Sequence, residues 1–158
     1  MTISRQTNQD KSQQDQGQNR AAITMYYDDT CVLCSTEAYN LRARNPDAIT
    51  LIPVDEGLET LQAAGFSRSD AMTYLCVQDW YGGWHTHMDA VRLLYRTSGL
   101  KGSALLYLPI VRQLGDLAYP YVARNRYRIP NWVTKLIYGK AVTQACANGV
   151  CNMPPDKR

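Results

Sequence analysis

From Met1 to Arg20 the chain is almost wholly polar, and Ile3 is the one large aliphatic residue after Met1. The pattern then changes. Ile23 to Tyr27 is an unbroken apolar run rich in β-formers, interrupted by Asp28-Asp29-Thr30, and it predicts a strand. Cys34, Ala38 and Leu41 follow at helical spacing, with Glu37, Asn40, Arg42 and Arg44 on other faces, until Asn45-Pro46 stops the helix. Ile49 to Val54 reads as a second strand, and so short a crossover implies a parallel, right-handed βαβ unit. Leu58 to Ala64 makes a short helix ended by Gly65. Ala71 to Val77 and Trp80 to Thr86 are expected to form a hairpin turning at Gly82-Gly83. Thr86-x-x-Asp89 fits a capping box opening a helix from Met88 to Arg96, whose Met88, Val91, Leu94 and Tyr95 share one face.

Past Gly102 the pattern predicts three short apolar helices: Leu105 to Leu114, Leu117 to Asn125 and Trp132 to Tyr138. Gly115 and Pro130 divide them, and Pro120 is expected to kink the second or mark its start. A chain of 158 residues suits a single domain with a tail. The expected division is a disordered tail over 1–20, a core over 21–100, a helical extension packed on it over 101–145, and a cysteine-containing tail over 146–158. The order βαβ, helix, hairpin, helix is that of an α/β, thioredoxin-like fold with a C-terminal helical extension.

Charge changes this picture by dividing it. Residues 1–91 carry six Lys/Arg against twelve Asp/Glu, while residues 92–158 carry eleven against two. A basic back half invites an anionic partner. Arg124, Arg126, Arg128, Lys135 and Lys140 are interleaved with Tyr119, Tyr121, Tyr127, Trp132 and Tyr138. These residues suit the surface of a membrane ahead of nucleic acid, because the aromatics fall within apolar helical runs; alternatively the aromatics merely pack the extension onto the core. The first twenty residues lack the apolar stretch of a secretory signal, and no apolar run is long enough to span a bilayer. A cytoplasmic protein, at most peripheral to a membrane, is expected.

In that compartment cysteines stay reduced unless they are catalytic, sensing or metal-bound. Cys31 and Cys34 stand three positions apart at a strand-to-helix junction. The first turn of a helix favours a thiolate through its unpaired N–H groups and dipole, so Cys31 is expected to be the more acidic and more exposed thiol, with Cys34 shielded one turn further in. Such a pair fits thiol-disulfide exchange on protein or small-molecule disulfides, with Cys31 as nucleophile and Cys34 as resolving thiol. Half of a zinc site is the alternative, completed by Cys146 and Cys151 or by His85 and His87. The two histidines, on one side of the expected fourth strand, suit an exposed polar face as well. Asp28 is either a base for Cys34, its pKa raised by burial, or the cap of the loop through the N–H of Thr30 or Cys31. Cys146 and Cys151 are a possible second redox pair, and lone Cys76, in an apolar run, reads as a small buried hydrophobe. No glycine-rich phosphate loop follows the first strand, so no organic cofactor is expected. The electron donor and the disulfide substrate have no signature in the chain.

Tyr27-Asp28-x-x-Cys31-x-x-Cys34, with Ala123-Arg124-Asn125-Arg126-Tyr127-Arg128 far downstream, resembles the DCC family of predicted thiol-disulfide oxidoreductases over roughly Ile23 to Arg128. The resemblance implies a thioredoxin-like fold and dithiol chemistry at Cys31 and Cys34, with Asp28 tuning or deprotonating the pair and Arg124, Arg126 and Arg128 available to an anion or partner. The chain departs from the pattern at Asp29, where the family usually has Gly, and the added charge is expected to raise the pKa of the thiols. It also lacks, at Ala71-Met72, the proline that thioredoxins place before the third strand to hold substrate. The contrasting reading is a zinc-stabilised or redox-inert binding module that meets a membrane surface or acidic partner through its basic half.

Overall fold

A computed structural model describes residues 22–130 together with Trp132, Val133 and Leu136. Expectations for the N-terminal tail, for most of the third appendix helix, and for Cys146 and Cys151 lie outside the described residues. Four strands, β1 (Ile23–Tyr27), β2 (Ile49–Pro53), β3 (Cys76–Gln78) and β4 (Trp84–Thr86), form one sheet in the order β2-β1-β3-β4. β1 pairs with β2 in parallel, Ile23 opposite Ile49, and antiparallel with β3, Met25 opposite Val77. β4 lies antiparallel to β3 at the edge. The parallel pair joined by a helix, followed by an antiparallel hairpin, is the thioredoxin-like arrangement.

The alternation along β1 divides the core. Ile23, Met25 and Tyr27 face a cluster with Ala38 and Leu41 of α1 (Val32–Arg44) and with Ala90 and Leu94 of α4 (His87–Thr97). Tyr26 faces the other way, onto Val54, Leu61 of α2 (Leu58–Ala63), and Ala71 of α3 (Arg68–Thr73). Helices therefore cover both faces of β1, and its end delivers the next residues to the junction of the layers. Gly57 is needed here: a Cβ would stand 2.4 Å from Cε1 of Tyr26.

Three expectations fail for local reasons. Residues expected to begin a third strand at Ala71 belong instead to α3, because Ser67 and Asp70 form a reciprocal capping box: the Asp70 N–H donates to Ser67 Oγ at 3.1 Å and the Ser67 N–H to Asp70 Oδ2 at 2.9 Å. The expected box at Thr86 does not form. Thr86 Oγ1 pairs with His87 Nδ1 at 3.0 Å, and Asp89 is occupied by Arg92 at 2.7 Å. His87 accordingly opens α4, with a positive φ of 55°, so His85 and His87 do not share a strand.

The third concerns the appendix, where a 3-10 turn (Ser103–Tyr107) leads into one helix, α5 (Pro109–Asn125), running through both Gly115 and Pro120. Pro120 is exposed, as is Asp116 four residues earlier, so solvent can satisfy the carbonyl that the missing N–H leaves open. Gly115 is a contact residue: a Cβ there would come within 2.8 Å of Met88 Cε on α4. Arg92, buried on α4, fixes the arm by donating to the carbonyls of Leu106 and Arg112, each at 3.2 Å, and to Asp116 at 2.7 Å.

Candidate active site

Where β1 ends, Asp28 is buried with its carboxylate fully engaged. Oδ1 accepts from the Thr30 N–H at 3.0 Å and the Thr30 hydroxyl at 2.6 Å. Oδ2 accepts from Arg126 Nη2 at 3.0 Å and from the Tyr127 hydroxyl. The loop cap through Thr30 is therefore present. Burial pushes the Asp28 carboxyl up, but hydrogen bonds from Thr30 and Tyr127 and the charge of Arg126 outweigh it, and the carboxyl is held below its ordinary range. The raised value expected of a base at this position is reversed.

The same loop sets the start of α1. The Cys31 N–H donates to the carbonyl of Asp28 at 3.3 Å, and Cys31 becomes the N-cap, its sulfur accepting from the Cys34 N–H at 3.3 Å. Hydrogen bonding from the Cys34 side chain, with help from that N–H and the charge of Arg126, brings the Cys31 thiol down to about 7 against the opposing effect of burial. The same hydrogen bond, with burial, pushes the Cys34 thiol up. The acidity order is the expected one. The exposure order is not: Cys31, the N-cap, is only 2 % exposed and Cys34 is half-buried. Among the described residues, Cys31, Cys34 and Cys76 are free thiols. Cys76 is fully buried, and burial first of all pushes its thiol up to about 11, in keeping with a core role.

Asp29 is exposed, and Asp28 is a carboxylate whose charge raises both active thiols. The expected arginine trio does not act as one patch. Arg126 turns inward to Asp28 and the carbonyl of Met72, while Arg124 and Arg128 are exposed. Its Nε is buried with no hydrogen-bond partner. His85 pairs with Asp79 at 2.9 Å and His87 stacks on Tyr74, so neither approaches the cysteines through these contacts. Among the described residues no group of three or more His, Cys, Asp or Glu is placed to hold a metal ion, and no helix is long and apolar enough to cross a membrane.

A cavity of about 100 Å³ opens beside the second cysteine, lined by Cys34, Asp28, Arg126, Glu37 and Tyr119 among mostly apolar groups. Sequence reading passed over two of these. Glu37, expected on another face of the helix, stands one turn beyond Cys34 and accepts the Tyr95 hydroxyl at 2.6 Å. A carboxylate three residues after the second cysteine was the available signal. Tyr119, read as one aromatic in a basic segment, turns inward and accepts the Leu75 N–H at 2.8 Å; no local signal distinguishes it from the exposed Tyr121.

The arrangement is a dithiol at a helix start, with one acidic and one protonated sulfur, bracketed by a buried ion pair. Comparison with curated proteins and with solved structures returns no match. Residues 25–132, which contain every site residue described above, match the family of DCC1-like thiol-disulfide oxidoreductases, and the chain belongs to that family.

Proposed function

We propose that the protein carries out thiol-disulfide exchange with Cys31 as nucleophile and Cys34 as resolving thiol. The observation that carries this reading is the geometry of the pair: Cys31 caps the helix and its sulfur accepts the Cys34 N–H at 3.3 Å, and hydrogen bonding between the two lowers the Cys31 thiol and raises that of Cys34. The Cys31 thiolate attacks one sulfur of a substrate disulfide, forming a mixed disulfide and expelling the first substrate thiolate. Cys34 loses its proton and attacks the Cys31 sulfur, which closes the Cys31–Cys34 disulfide and expels the second. Two electrons pass from the dithiol to the substrate, and an external thiol or dithiol restores them. Asp28 serves as anchor: it holds Arg126, whose charge lowers both thiols, while its own charge raises them.

The test is equilibration of the protein across glutathione redox buffers, with thiols counted by mass spectrometry and zinc measured on the same sample. Reversible pairing of Cys31 with Cys34 at a defined potential, without metal, is the expected result. Stoichiometric zinc on the cysteines, or failure to pair at any potential, overturns the reading.

One observation favours a peripheral association with a membrane surface as well. Ile110, Leu114, Leu117 and Tyr121 follow one another at helical spacing along α5 and are 73, 61, 78 and 74 % exposed. Exposed Arg124 and Arg128 follow at its C-terminal end, a composition suited to anionic headgroups. Salt-sensitive binding to phosphatidylserine vesicles that survives Cys31→Ser and is lost on Leu114→Glu/Leu117→Glu is the expected outcome; equal binding of that double variant removes the reading.

A further inference from the structure

Two carboxyl groups line the cavity beside Cys34, and their surroundings set them to opposite tasks. Asp28 takes four hydrogen bonds and is held anionic below the usual range, so it is a poor acceptor for a proton near neutrality. Glu37 accepts the Tyr95 hydroxyl, and burial pushes its carboxyl up, only partly offset by that hydrogen bond. It lies on α1 three residues after Cys34, hence on the same side of the helix, and both side chains face the same cavity. A space of about 100 Å³ is large enough for water molecules that relay a proton. The other titratable or charged groups lining this space are Tyr26, Tyr27, Tyr74, Tyr119 and Arg126, and the four phenols, all raised above their ordinary value first by burial, are no acceptors.

We propose that Glu37 takes up the proton that Cys34 must lose when it resolves the mixed disulfide, across the cavity the two side chains share. The inference rests on the dithiol chemistry proposed above. In the resolving step the Cys34 S–H bond breaks, its proton passes to the Glu37 carboxylate, and its sulfur electron pair forms the bond to Cys31 as the substrate thiolate departs. The proton then leaves Glu37 for the departing thiolate or for solvent. Tyr95 is a positioning residue: its hydroxyl holds Oε1 and keeps Glu37 from an even higher value.

The experiment is a single turnover of the fully reduced chain with dithiobis(nitrobenzoate), acid-quenched at intervals and read by mass spectrometry. It separates formation of the mixed disulfide on Cys31 from its conversion to the Cys31–Cys34 disulfide. With Glu37→Gln, which keeps size and the Tyr95 contact, formation is expected at the native rate and resolution about 10²-fold slower near neutral pH. The native resolution rate is expected to climb with pH through an inflection above the ordinary glutamate range, and the variant to lose that inflection. Tyr95→Phe shifts it to higher pH without abolishing it. Native-rate resolution by Glu37→Gln with an unchanged pH profile overturns the proposal, as does an inflection that Tyr95→Phe leaves in place should Glu37→Gln fail to fold. If the native protein forms the mixed disulfide and never resolves it, the dithiol reading itself falls, and that result is visible before any variant is made.

Discussion

The sheet with its four covering helices and the arm that follows it are held by different forces. Residues 23–98 contain two clusters of buried side chains, whereas the 3-10 turn at Ser103, α5 and the Arg126–Arg128 turn have no fully buried residue between them. Yet the arm supplies Tyr119, Arg126 and Tyr127 to the site. It is docked by polar contacts, chiefly Arg92 to two carbonyls and Asp116, Tyr119 to Leu75, and Arg126 to Asp28. The framework that positions the thiols is thus apolar and cooperative, and the part that tunes them is attached by a few bonds that can be removed singly.

The contrast is best broken at the bond joining both regions. Asp28→Ala leaves Arg126 buried without its counter-charge and is expected to cost about 3–5 kcal/mol in chemical denaturation. The Asp28 carboxyl is held below its unfolded value, so its contribution is complete above that value and lost as pH falls through the lower folded one. The native protein should therefore lose stability at acid pH more steeply than Asp28→Asn. Leu94→Ala, in the core alone, is expected to cost about 2–5 kcal/mol and to lower the denaturation midpoint of sheet and arm signals together.

Arg92→Met should act on one region. Its exposed partners Asp89 and Asp116 rehydrate, so a loss of about 1.5–3 kcal/mol is expected. Hydrogen exchange should quicken across α5 and not β1, and Cys31 should alkylate faster as the turn over α1 loosens. Tyr119→Phe, removing one hydroxyl acceptor from the Leu75 N–H, is the smallest at about 1 kcal/mol, with faster exchange confined to Leu75 and its neighbours. If either variant instead lowers the stability of the whole sheet, the two regions form a single cooperative unit.

The same division explains what could be read from the chain. β1, α1, β2 and α2 are legible because apolar positions at strand or helix spacing, Ile23, Met25 and Tyr27, Ala38 and Leu41, Ile49, and Leu61, are the ones the fold buries or packs. Gly65 and Asn45-Pro46 mark the helix ends, and the cysteine pair stands at the junction of β1 and α1. α3 did not, since Ala71, Met72 and Leu75 look like a strand until the Ser67–Asp70 cap is recognised upstream. The sequence divides α5 at Gly115 and expects a kink or a start at Pro120, because it shows neither that Met88 fills the space beside the glycine nor that the proline faces solvent. At the site, the order of thiol acidity is the one that helix position predicts, although its first cause is the hydrogen bond between the two thiols. The low pKa of Asp28 is legible only in part: Thr30, the first of its lowering partners, is two residues away, but Tyr127 and Arg126 lie 99 and 98 residues downstream.

Arg92 holds the arm largely by main-chain oxygens, at Leu106 and Arg112, and these oxygens belong to every amino acid. The identity of the side chains at those two positions is therefore free of the docking requirement. Fluorescent or spin labels attached there would ride on α5 and its leading turn without cutting the tether, and would report its approach to the dithiol through a redox cycle.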